Sequence, residues 1–201
     1  IDVIEEILRV YGFDNIPVDT KLSINMPDIG QNQINRLESL ISNNLVGIGF
    51  NEIINNSICS PSINEKFDNL AVNLLNPKGI ELSNLRVSLI PNSIDTVKHN
   101  FNRQIKNLKL FEIGNTYSLE NKNYIENKRL NITVTGDIFD ENWISKYSKN
   151  NFYYLKGVCE NLLKQLKISN VNYERVNDDL FEYKLDIYSN NKPIGFIGEL
   201  S

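Results

Sequence analysis

Between Val171 and Leu200 the sequence places three runs rich in alternating apolar and polar residues, 171–176, 183–188 and 194–200, with no room for a helix between them. A parallel crossover needs about a dozen residues or more, usually helical, so strands this close in sequence favour antiparallel pairing. Asn190-Asn191 sits between the last two, and asparagine tolerates the left-handed backbone of a tight hairpin turn. The fold class expected is therefore α+β, with helices packed on a mainly antiparallel sheet.

The remaining elements follow from periodicity. In residues 2–11 the apolar positions Val3, Ile4, Ile7, Leu8 and Tyr11 recur at helical spacing, and Gly12 supplies a left-handed stop. Residues 18–30, punctuated by Pro17, Pro27 and Gly30, read as a linker. From Gln31 a second helix puts Ile34, Leu37, Leu40, Ile41 and Leu45 on one face and ends at Gly47. Gly49 and the alternating run Phe50 to Ser57 turn that helix into a strand. Further strands are predicted at 72–75, 108–113 and 131–138, with helices at 92–104 and 154–166. Gly47-Ile48-Gly49 leads into a strand and not a helix, so it is a bend and not a phosphate cradle. No internal repeat is present.

Composition narrows the function classes. A chain of 201 residues, 41% hydrophobic and 23% charged, can bury a sizeable core and suits one domain plus a short appendage. Its formal net charge of -4 argues against a broad nucleic-acid-binding face, which would need clustered cations. Lys98, Arg103, Lys106 and Lys109 form one local basic cluster that could face RNA or simply be a solvated helix face. Cys59 and Cys159 show neither a disulfide framework nor zinc spacing, and suit buried thiols in a reducing compartment, by default the cytosol. No segment approaches the roughly 18 uninterrupted apolar residues of a membrane span. Opening inside an amphipathic helix and stopping after a strand, the sequence is expected to be a piece of a longer polypeptide.

Residues 84–117 join a Leu-Arg-x-Ser turn and helix to a strand of the form apolar-Phe-Glu-Ile-Gly. That succession resembles the β subunit of bacterial phenylalanyl-tRNA synthetase, whose core is a class II aminoacyl-tRNA synthetase-like fold without chemistry of its own. The opening IDVIEEILRVYGFDNIP is similar to the helix and exit loop that close the domain before that core. NFYYLKGVCENLLKQL and KPIGFIGEL are similar to its later helix and strand. The resemblance implies a preceding-domain tail at 1–20, a linker at 21–30 and a non-catalytic core at 31–201, truncated at its C-terminus. It also implies an (αβ)₂ assembly in which the α subunit binds ATP and phenylalanine and charges tRNA(Phe). The early helix 31–47 is similar to the element through which class II domains pair; alternatively its stripe only packs on its own sheet.

Two constellations bear on chemistry. Active class II members carry an arginine in a Phe-Arg-x-Glu strand just after a Phe-Glu-Ile-Gly-like stretch. Here the residues are Tyr117-Ser118-Leu119-Glu120, and a serine hydroxyl cannot neutralise a phosphate. Arg86 and Glu112 remain at positions that matter in active relatives, and could equally be a buried pair holding turn to strand. Asp2, Glu5 and Glu6 fall on one helix face, and such oxygens suit a hard cation such as Mg²⁺. Acidic residues are also ordinary in a first helical turn, and Glu5 can pair with Arg9. The resemblance implies that these three residues match Mg²⁺ ligands at the contact with the α subunit. Departures from the family pattern occur at Asn92-Ser93, where Gly-Leu is usual, and at Tyr154, where aspartate is common. His99, without a nucleophile or ordered acid nearby in sequence, reads as a surface or boundary residue. The rival readings are an active class II ligase and a free-standing synthetase-like binding or regulatory module.

Overall fold

The computed structural model describes residues 2–17, 21, 32–64, 70–138 and 151–200. Its contacts divide the chain into two compact units, Ile1–Asn35 and Arg36–Ser201. The expected linker lies almost wholly outside the described residues.

In the first unit, helix α1 spans Asp2–Tyr11, as its periodicity predicts. Gly12 adopts φ 90° and its N–H donates to the Leu8 carbonyl at 2.8 Å, closing the helix. A short 3-10 turn, Phe13–Asn15, follows. None of the α1 residues is buried, and its apolar stripe, including Val3, Ile7 and Val10, is exposed.

The second unit carries most of α2 (Asn32–Gly47), then β1 (Asn51–Glu52), β2 (Ile58–Cys59), α3 (Pro61–Asn64), β3 (Asn84–Leu85) and α4 (Ile90–Phe101). There follow β4 (Leu108–Glu120), β5 (Asn123–Thr135), α5 (Phe152–Gln165), β6 (Val171–Arg175), β7 (Phe181–Ser189) and β8 (Lys192–Leu200). Among the described residues the strands form sheets ordered β1-β4-β5, β2-β3 and β6-β7-β8. Only β1 runs parallel to its neighbour; the other ladders are antiparallel. Thus antiparallel pairing dominates, as the short connections require, but it is distributed over three sheets.

Several boundaries differ from expectation for identifiable reasons. The strand expected at 108–113 runs on to Glu120 because β4 pairs with β5 in unbroken register from Leu108↔Thr135 to Glu120↔Asn123. Gly136, at φ 70°, ends β5; a Cβ there would lie 2.4 Å from Asn107 Oδ1. The runs 50–57 and 72–75 shrink to β1 and a single bridge, Asn73↔Asn84, which is flanked by bonds from the Leu74 N–H to Ser83 O and from the Leu85 N–H to Val72 O.

Two apolar clusters share α5. Ile41 and Leu45 of α2, Phe50, Phe111 of β4, and Val158 and Leu162 of α5 form one. Phe152 of α5 with Leu185, Ile187 and Ile197 forms the other, lined further by Leu155, Cys159 and Leu163. Adjacent faces of α5 therefore join the β4 region to the β6-β7-β8 sheet. Phe111 has no exposed surface, and a side chain of this kind stabilises the fold by about 1.5–3 kcal/mol through burial.

Candidate functional site

Among the described residues, a buried polar network lies inside the second unit. Arg86, in the turn after β3, reaches Glu112 on β4: Nη1 donates to Oε1 at 2.6 Å, with side-chain exposures of 4% and 2%. Nε of Arg86 donates to the Asn115 carbonyl at 3.0 Å. The remaining carboxylate oxygen of Glu112 accepts from Asn55 Nδ2 at 2.8 Å. Asn55 Oδ1 in turn accepts from Thr96 Oγ1 of α4 at 3.0 Å. Backbone bonds hold the frame, with the Arg86 N–H donating to Ser57 O and the Tyr117 N–H to Arg86 O, each at 2.9 Å. The charges are thus paired and hydrogen-bonded, the condition under which ions tolerate burial.

Gly114 makes room for this pair. A Cβ there would stand 2.4 Å from Arg86 Nη2 and 3.3 Å from Glu112 Oε1. Asn55, Thr96 and Gly114 are the participants that sequence reasoning missed. The glycine stood inside the quoted Phe-Glu-Ile-Gly string, so its signal was present.

The two departures in α4 are locally compensated. Ser93, 1% exposed, accepts from Asn131 Nδ2 at 2.6 Å, and Asn92 Nδ2 donates to Asn56 O at 2.8 Å. Tyr154 packs against the first core, with Lys109 Nζ 5.3 Å from its ring centroid. Beside the buried pair opens a shallow cleft of about 680 Å³, whose lining includes Asn55, Cys59, Glu81, Asp95, Thr96 and His99. His99 is exposed at its margin. Burial raises the Cys59 thiol above its usual value, partly offset by its hydrogen bond to Asn64 and the charge of Arg86. Burial likewise pushes Cys159 up to about 11. Neither thiol is primed as a nucleophile.

The carboxylates of α1 lie elsewhere, in the first unit. Asp2, Glu5 and Glu6 are exposed, and Arg9 pairs with Glu5 at 3.4 Å and Glu6 at 3.2 Å. Among the described residues no three His, Cys, Asp or Glu side chains converge on a point that could hold a metal ion. As a donor set the three acids suit a hard cation, but alone they form an incomplete shell.

The family profile of the phenylalanyl tRNA synthetase beta chain CLM domain matches residues 18–201. The chain belongs to the phenylalanyl-tRNA synthetase β chain family. The phenylalanine-tRNA ligase β subunit of Bacteroides thetaiotaomicron is 34% identical across 94% of this chain and 25% of its own length. That of Carboxydothermus hydrogenoformans is 33% identical across 99% of this chain and 26% of its own length. The chain thus spans about a quarter of these relatives. In fold it resembles the pyrrolysyl-tRNA synthetase of Desulfitobacterium hafniense, with a TM-score of 0.62 over 81% of this chain and 57% of that one, at 18% identity. The class II synthetase-like core expected from the sequence accords with that likeness.

For a member of the phenylalanyl-tRNA synthetase β chain family, the polar centre is arranged for structure. Arg86 cannot turn toward an external phosphate without stranding Glu112 in the interior, a cost of about 3–5 kcal/mol. Ser118, on β4, is half-buried and donates to Glu120 at 3.3 Å. The α2 stripe divides: Ile41 and Leu45 enter the core, while Ile34, Leu37 and Leu40 remain exposed. Lys98, Arg103 and Lys106 are exposed, whereas Lys109 is half-buried. No described helix is long and apolar enough to cross a membrane.

Proposed function

We propose that this chain is a structural portion of a phenylalanine-tRNA ligase β subunit, non-catalytic in itself, that supports a catalytic α subunit in an (αβ)₂ complex. In this reading the α subunit binds ATP and phenylalanine and charges tRNA(Phe), in the cytoplasm. The observation that carries it is the internal use of Arg86. The buried arginine that a nucleotide site could have employed is bound to Glu112, Asn55 and Asn115, and Ser118 offers no replacement charge. The exposed half of the α2 stripe supports a role in subunit contact, because one face serves the core and leaves Leu37 and Leu40 for a partner.

The domain boundaries expected from the sequence, a tail at 1–20, a linker at 21–30 and a core from 31, belong to the same proposal. So does a shared Mg²⁺ at Asp2, Glu5 and Glu6. Bound there, the ion would neutralise clustered carboxylates at a subunit contact, with further ligands supplied from outside α1. Arg9, which now pairs with two of the three acids, would have to yield them.

The test is co-purification of the full-length β subunit with its α partner, followed by phenylalanine charging with and without Asp2→Ala, Glu5→Ala and Glu6→Ala together. A stable, active complex is expected, with assembly or activity weakened by the triple change. A complex indifferent to the triple change removes the metal site and leaves the subunit role. Failure to form any complex removes the subunit role. The chain on its own is expected to give no ATP-pyrophosphate exchange above background.

A further inference from the structure

From Phe101, the last residue of α4, residues 101–107 are all exposed. From Lys98 to Lys109 the sequence KHNFNRQIKNLK carries four cations and no carboxylate, in a chain whose net charge is -4. Within it Phe101 keeps 52% of its surface and Ile105 48%. Lys106 Nζ lies 5.7 Å from the centroid of the Phe101 ring, so a cation and an aromatic face are presented together. Lys98 and Phe101, three residues apart, lie on one side of the helix.

This segment is also held in shape. The Ile105 N–H donates to Asn100 O at 3.1 Å, and Arg103 Nη1 donates to His99 O at 3.1 Å, drawing the guanidinium against the last turn of α4. Thr135 Oγ1 donates to Lys106 O at 2.6 Å, and Gly136 closes against Asn107. Among the described residues, acids near this segment include Asp95, 3.7 Å from Lys98, and Asp137, whose N–H donates to Asn107 Oδ1. Lys109 Nζ sits over the Tyr154 ring and is left out of the surface. What remains is a hydrogen-bonded turn offering Lys98, Arg103 and Lys106 around an exposed phenylalanine.

We infer that this surface docks RNA, its three cations on backbone phosphates and Phe101 against an unpaired base. Phosphate neutralisation supplies the affinity, and an aromatic face adds stacking that tolerates any base. The inference rests on the proposed role in a tRNA ligase, which selects RNA over an anionic lipid surface.

The experiment uses the full-length α–β complex, a labelled tRNA(Phe) transcript, and salt titrations of binding. Changing Lys98, Arg103 and Lys106 together to Gln should reduce the slope of log affinity against log salt by roughly 2–3. Phe101→Ala should weaken binding on the order of tenfold. The Arg/Lys exchange variant, Lys98→Arg with Arg103→Lys and Lys106→Arg, should keep the wild-type slope. ATP-pyrophosphate exchange without tRNA should be unchanged in all variants, which separates docking from misfolding. Charging intact with the slope unaltered overturns the inference and leaves the subunit role standing. Loss of binding to phosphatidylserine vesicles with tRNA binding intact also overturns it. A wild-type complex that does not charge tRNA overturns both.

Discussion

Arg86 and Glu112, 26 residues apart in sequence, meet at 2.6 Å where neither side chain is more than 4% exposed. Removing one partner leaves the other charged and buried. Glu112→Leu or Arg86→Met alone should therefore cost about 3–5 kcal/mol. The double variant, which removes both charges, should lose much less than the sum of the singles. Urea denaturation of the four proteins measures the coupling, and additive losses would show that the pair contributes nothing as a pair.

Gly114 depends on that same arginine. A methyl group there would meet Nη2 at 2.4 Å and Leu89 Cδ2 at 3.2 Å. Gly114→Ala should destabilise the protein by about 1–3 kcal/mol through overpacking. In the Arg86→Met background the obstruction shrinks and the cost should fall. An equal cost in both backgrounds would place the strain at Leu89 instead.

The long elements were legible because apolar spacing marks them locally, whether or not the stripe is buried, as the exposed stripe of α1 shows. The stripe of α1 and the alternation of β7 and β8 follow directly from apolar spacing, and Asn190-Asn191 does occupy the β7–β8 turn at φ 49° and 60°. Short ladders were not legible, because an alternating run such as 50–57 becomes a strand only where a neighbour supplies hydrogen bonds. The Ile53 N–H finds Phe111 O, and beyond it Asn55 turns to Glu112, 57 residues away. No local pattern reports such a partner. The Arg86–Glu112 pair was anticipated because a motif named both ends, whereas for the α1 acids spacing gives only that the three carboxylates share one helix face.

Acid should act through Asp178. Its carboxylate accepts from Lys184 Nζ at 2.8 Å and from the Leu180 N–H at 3.0 Å, and these bonds, the lysine's first, hold its pKa below the usual aspartate value. The folded state thus favours the charged form. The resulting stability is complete above the unfolded value, about 3.9, and is lost as pH falls through the lower folded value. Thermal melts from pH 6 to pH 2 should show a steeper acid-side decline for the wild type than for Asp178→Asn. Parallel curves would remove Asp178 from the acid response.

The β4–β5 hairpin turns through Asn121 and Lys122 at φ 49° and 67°, the positive values of a two-residue turn. Asparagine accepts this region readily, but a lysine Cβ is crowded there, and the usual solution is Asn-Gly. Lys122 is exposed, so its side chain gives little back. Relief of crowding should outweigh the greater freedom that glycine confers on the unfolded chain, because the native φ is one that only glycine adopts without penalty. Lys122→Gly should therefore stabilise the protein by about 0.5–1 kcal/mol, raising Tm by roughly 1–4 °C for a chain of this size. Lys122→Val, β-branched and poorly suited to positive φ, should lower it. Differential scanning calorimetry of the two variants decides the matter, and a lower Tm for Lys122→Gly would mean that unfolded-state entropy outweighs the turn's geometry at this position.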